Sequence, residues 1–108
     1  MNITKKNDHG ILKFSIEGKL DTSTAPKLQD ELSDFYDEAA ENKQKCLVNE
    51  VYLDCNNLTY ISSAGLRVLL IIEKQSKSTG IPFILIGVSE DIMELFNMTG
   101  FDKLLRIN

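Results

Sequence analysis

The run Leu66–Ile72 holds six apolar residues and one charge, Arg67, and two strand-like runs bracket it, Leu47–Leu53 before and Phe83–Ile86 after. A helix that is apolar around most of its circumference must be packed against a sheet and against neighbouring helices. A strand–helix–strand order of this kind requires a parallel strand pair joined by a right-handed crossover. Gly80 and Pro82 supply the stop between the helix and the next strand. This one stretch therefore commits the chain to an α/β fold with a largely parallel sheet.

The flanking segments extend that unit. Leu12, Phe14 and Ile16 alternate with Lys13, Ser15 and Glu17, which predicts a strand with one packed and one wet face. A short first strand over Asn2–Lys6 precedes it, separated by the turn signal Asn7-Asp8-His9-Gly10. The polar loop Gly18–Thr24 leads into a helix with Thr24 as N-cap and Pro26 in the first turn. Leu28, Leu32, Phe35 and Ala39 form its apolar stripe, opposite Asp30, Glu31, Asp34, Asp37, Glu38 and Glu41, read as a solvated face. A third strand is expected over Leu47–Asp54, with Leu47, Val51 and Leu53 on one face. Phe83-Ile84-Leu85-Ile86 has the continuous apolar pattern of a buried central strand. Ser89 can cap a third helix, with Glu90 and Asp91 suited to its dipole, Ile92, Leu95 and Phe96 facing inward, and Gly100 as the stop. Leu104–Ile107 reads as a last short strand. The predicted order is β-β-α-β-α-β-α-β: one small α/β domain over residues 1–108, with a mixed, mostly parallel sheet of four to five strands and helices mainly on one face.

Composition narrows the function. The net charge of −4 and the scattered lysines leave no basic stripe, which argues against nucleic acid as a partner. No apolar stretch is long enough to span a bilayer, and Met1–Lys6 has no apolar core of the signal-peptide kind, so a cytoplasmic location without membrane insertion is expected. Cys46 and Cys55 lack the spacing of a metal or redox pair and read as ordinary reduced side chains. No metal site and no cofactor are expected. The single histidine, His9, lies in a polar turn with no apparent acid–base partner. There is no Gly-x-Ser-x-Gly elbow and no phosphate-cradling Gly-x-x-x-x-Gly-Lys, so catalysis is not expected.

The chemistry concentrates between the third strand and the apolar helix, in Leu58-Thr59-Tyr60-Ile61-Ser62-Ser63-Ala64-Gly65-Leu66. Serines before a helix are commonly caps, and a hydroxyl there also lies at the positive end of the helix beside free N–H groups. Ser62 as cap and Ser63 as an exposed first-turn hydroxyl are compatible readings. Gly65 leaves the turn without a side chain and would let a partner's backbone approach. Asp21 and Asp54 are expected near Ser63, as residues at the same edge of the sheet.

With these residues in view, the chain resembles a STAS domain, specifically the small bacterial anti-sigma factor antagonists. The resemblance is carried by Phe14–Asp21, by Leu53-Asp54, by Leu58–Leu66 and by Leu95-Phe96-Asn97-Met98-Thr99-Gly100-Phe101. The family pattern Asp-Ser-Ser/Thr-Gly-Leu falls on Ser62-Ser63-Ala64-Gly65-Leu66, which makes Ser63 the implied phosphate acceptor. Ser62 stands where the family has aspartate, and Ala64 where it has a second hydroxyl residue. Many relatives carry a further helix after the last strand. The resemblance implies that the unphosphorylated protein binds an anti-sigma factor that is also a serine kinase and so frees a sigma factor. It further implies that phosphorylation breaks the complex and that a metal-dependent serine phosphatase reverses it. The candidate partner surface comprises Asp21, Thr22, Ser62, Ser63, Gly65 and Leu66, with a turn-forming role as the other reading of Asp21. An alternative keeps the fold and makes the chain an accessory subunit of a transporter or other membrane complex, without phosphorylation.

Overall fold

The computed structural model describes all 108 residues. A five-stranded sheet has the spatial order β1 (Asn2–Asp8), β2 (Ile11–Leu20), β3 (Glu50–Ile61), β4 (Phe83–Ile86), β5 (Arg106–Ile107). β1 pairs antiparallel with β2, and the other three pairings are parallel. The crossovers are the helices α1 (Ala25–Glu41), α2 (Ser63–Thr79) and α3 (Glu90–Thr99). The expected fold class is thus the observed one.

The first strand runs two residues past Lys6. Its hairpin turns on His9 and Gly10, both at positive φ (51° and 85°), between the paired residues Asp8 and Ile11. Two central residues of this kind match the twist of a two-residue hairpin, and the glycine accepts the conformation without steric cost.

Leu12, Phe14 and Ile16 of β2, Val51, Leu53 and Cys55 of β3, and Phe83 and Leu85 of β4 point into one core beneath the helices. The opposite face is open, so Ile84 and Ile86 are only half-buried. The unbroken apolar run in β4 is therefore not a strand covered on both faces.

Three further expectations are corrected by packing. The third strand begins at Glu50 and continues to Ile61, and Leu47 lies outside it, 85% exposed. In α1 the core residue is Tyr36, with Phe35 at the margin, its ring 5.0 Å from Tyr36 and edge-on to it. Tyr36 can be buried because its hydroxyl donates to the Ile81 carbonyl at 3.0 Å. The last strand is only Arg106–Ile107; Leu105 before it is buried and Leu104 is half exposed.

Two irregularities in β3 decide where the site falls. Between the pairs Ser15–Asp54 and Glu17–Asn57, β2 advances two residues and β3 three; between Gly18–Leu58 and Lys19–Tyr60, β2 advances one and β3 two. Each extra residue is a bulge, which turns the following side chains relative to the core. The buried positions consequently step from Val51, Leu53 and Cys55 to Leu58 and Ile61.

Candidate functional site: the start of α2 and the β2–α1 loop

β3 ends on Ile61, paired with Leu20 at the end of β2. The Ser62 N–H donates to the Leu20 carbonyl at 2.9 Å, which ties the start of α2 to the end of β2. Ser62 has extended backbone, and its Oγ accepts from the Gly65 N–H at 3.4 Å, so it is the N-cap. Its carbonyl accepts the first helical bond, from Leu66 N–H at 2.9 Å. Ser63 is the first helical residue and is exposed; Ala64 beside it is half-buried. The cap and the exposed hydroxyl thus fall on the two serines as anticipated.

Gly65 and Leu66 face the other way. A Cβ at Gly65 would lie 2.8 Å from Leu20 Cγ and 2.9 Å from Ile61 Cγ1 and from the Leu20 carbonyl oxygen. Its bare Cα therefore admits the protein's own β2, not a partner's backbone. Leu66 is 7% exposed and belongs to the core. Neither offers a side chain to a partner in this conformation.

The β2–α1 loop is organised by Asp21. Its Oδ1 accepts from the Ser23 N–H at 3.0 Å, from the Ser23 hydroxyl at 2.8 Å and from the Thr24 N–H at 3.2 Å. The Ser23 hydroxyl, with the backbone N–H groups of Ser23 and Thr24 and the Thr24 hydroxyl, holds the Asp21 carboxyl below its usual pKa. Thr24 occupies the N-cap position of α1, but its hydroxyl does not cap. That hydroxyl accepts from the Asp21 N–H at 2.9 Å and donates to the Lys19 carbonyl at 2.8 Å. Turn formation by Asp21 is therefore visible directly, and it fixes the loop that leaves Thr22 and Ser23 exposed.

Asp54 is not at this site. It pairs with Ser15 and Ile86 in the middle of the sheet, and its Oδ1 accepts from Asn56 N–H and Asn56 Nδ2. The rise of β3 from there to Ser62 separates them by on the order of 20 Å. Tyr60, paired with Lys19 and half exposed, lies closer to the serines than Asp54 does, and the sequence reading passed over it. The two bulges explain both errors, since they carry the strand seven residues past Asp54. A spacing of three between Cys55, Leu58 and Ile61 was the available signal.

No group of three or more His, Cys, Asp or Glu side chains is placed to hold a metal, and no helix is long and apolar enough to cross a membrane. The exposed Ser63 hydroxyl at the start of α2 and the loop that Asp21 organises thus lie at one end of the mixed sheet of a small α/β domain. The chain belongs to the STAS domain family, which it matches over residues 2–108. It is 31% identical over 101 residues to a candidate anti-sigma factor antagonist, BtrV of Bordetella bronchiseptica, covering 94% of this chain and 80% of that protein. It is 24% identical over 108 residues to the anti-sigma-B factor antagonist of Staphylococcus aureus, covering 100% and 93%. Its fold is that of the Bacillus anti-sigma factor antagonist SpoIIAA. For the unphosphorylated form the TM-score is 0.71 at 13% identity, covering 99% of this chain and 87% of the other; for the phosphorylated form it is 0.70 at 14% identity, covering 99% and 91%. The anti-sigma factor antagonists of this family are regulatory binding proteins, not enzymes.

Proposed function

We propose that this protein is an anti-sigma factor antagonist switched by phosphorylation of Ser63. The unphosphorylated form binds an anti-sigma factor that is also a serine kinase, through the surface made by Asp21, Thr22, Ser62 and Ser63, and thereby frees a sigma factor. Transfer of phosphate from ATP to Ser63 ends the complex, and a metal-dependent serine phosphatase restores it. The observation that carries the reading is the exposed Ser63 at the N-terminus of α2, beside the loop that Asp21 holds in place.

Electrostatics alone is large enough for such a switch. A phosphate adds nearly two negative charges at a helix N-terminus, where the domain's own dipole tolerates them. A partner carboxylate about 6 Å away, at an effective dielectric of ~20, would cost ~3 kcal/mol for each charge pair, about two decades in affinity. Removing the phosphate from water at the interface adds to that. No refolding of this domain is needed, so spectral changes on phosphorylation are expected only near Ser63.

The test is the intact mass of the protein isolated from its own cells, with and without phosphatase treatment, beside a Ser63→Ala variant. A phosphatase-sensitive gain of one phosphate, missing from the variant, is the expected result. A phosphate retained in Ser63→Ala, or none under any growth condition, would overturn the switch.

A further inference from the structure

Ser63 opens a stripe along the outer face of α2. Helical periodicity puts Arg67, Leu70, Lys74 and Lys77 on the same face as Ser63. Leu70 is half-buried and the other four are exposed. The one carboxylate of this helix, Glu73, is buried. Every exposed charge on α2 is therefore positive, on a chain whose net charge is −4.

Arg67 is the cation within reach of the serine. It lies one turn on, at the spacing that brings Cβ atoms within about 5–6 Å. Lys74 is roughly 16 Å from Ser63 along the helix axis. No carboxylate claims the Arg67 guanidinium, since the one acid–base contact of ion-pair length is between Asp8 and His9 in the β1–β2 hairpin. Asp21, the acidic residue of the neighbouring loop, has its Oδ1 engaged by Ser23 and Thr24.

We infer that Arg67 is the counter-ion of a phosphate carried by Ser63. The inference rests on Ser63 being the acceptor, as proposed above. A guanidinium offers parallel, charge-assisted N–H donors to phosphate oxygens and does not lose its proton in a protein. The favourable order on a helix places the anion N-terminal to the cation, and phosphoserine at 63 before Arg67 has that order. Until Ser63 is modified, the guanidinium is a free cation beside its hydroxyl. Afterwards the phosphate holds it. Phosphorylation thus removes a cation from the surface as well as adding an anion, and Arg67 positions the phosphate over the outer face of α2.

The experiment is a phosphorus NMR titration of the full chain with phosphoserine built in at position 63 during synthesis, so that no kinase is needed. The second ionisation of phosphoserine lies at about pH 6. Arg67 favours the dianion, so Arg67→Gln, a change at an exposed side chain, should raise that pKa by about 0.3 pH unit. Arg67→Lys should keep part of the effect, and the difference should shrink at about 1 M salt. Lys19 and Lys27 are exposed cations at the end of β2 and in the first turn of α1, and a Lys19→Gln/Lys27→Gln variant should move the pKa far less. A pKa unmoved by Arg67→Gln, a rise as large in Arg67→Lys, or an equal rise in the double-lysine variant would each overturn the pairing. The two readings fail separately: a native protein that never carries phosphate overturns the switch, and an unmoved pKa in the phosphoserine chain overturns the pairing.

Discussion

The Leu20 carbonyl oxygen accepts the Ser62 N–H at 2.9 Å, and the same oxygen would lie 2.9 Å from any Cβ placed on Gly65. One backbone atom therefore anchors the start of α2 and forbids a side chain one turn into it. The surface proposed to meet the partner owes its shape to this contact, because Leu20 also leads directly into the loop that Asp21 organises.

Gly65→Ala should pull these two segments apart. Backbone cannot give way as a flexible side chain would, and overpacking of this kind costs about 1–3 kcal/mol. Alanine's better helix propensity offsets about 1 kcal/mol of that. A net loss of up to about 2 kcal/mol in urea unfolding is expected, with amide shifts over Leu20–Thr24 as well as in α2. A variant as stable as the parent, with an unchanged loop, would show that the close approach is not a constraint.

Ser62 caps α2 through a long bond of 3.4 Å. Ser62→Ala should cost about 0.5–1 kcal/mol, the low end for caps. Ser62→Asp should instead add about 0.3–1 kcal/mol, since it keeps an acceptor and places a negative charge at the helix N-terminus. Thermal melts at low and high salt separate the two effects: the gain from aspartate should shrink with salt, and the loss from alanine should not. If aspartate proves destabilising at low salt, the dipole account of this position fails.

Most of the architecture was legible because it follows from periodicity. Leu12, Phe14 and Ile16 alternate, the α2 run admits only a packed helix, and Ser62, Ser89, Gly80 and Gly100 mark helix ends where the structure has them. What alternation could not show is where it is meant to break. Asn56 and Thr59 shift the register of β3, so a strand with a spacing of three looked like a loop, and Asp54 was placed beside a serine it does not approach. Gly65 was misjudged for a related reason: a bare Cα says that something comes close, and only the tertiary fold says that it is Leu20. At Phe35 and Tyr36 helical spacing allowed either ring inside, and the Ile81 carbonyl, brought in from a distant turn, decided for the hydroxyl-bearing one.

Glu73, directly after the apolar run of α2, is 4% exposed and its Oε2 is buried without a hydrogen-bond partner. The charged and titratable groups that face it are Tyr36 of α1, Lys77 one turn along α2, and Arg106 of β5. Loss of water raises its pKa above the usual 4.5, and the two cations offset only part of that. A carboxyl whose folded value is raised binds its proton more tightly in the folded state than in the unfolded one. Its contribution to stability is therefore complete below about pH 4.5 and is lost as pH rises through the folded value. Glu73→Gln keeps the shape and removes the charge. At pH 7 that variant should be more stable than the parent, because glutamine carries no charge to be stripped of water. At pH 4 the two should unfold at nearly the same urea concentration. The difference between the proteins isolates Glu73 from every other titrating group. If Glu73→Gln is instead the less stable of the two at pH 7, attraction to Arg106 and Lys77 outweighs desolvation, and this carboxylate is a tie between α2 and β5 rather than a strain on them.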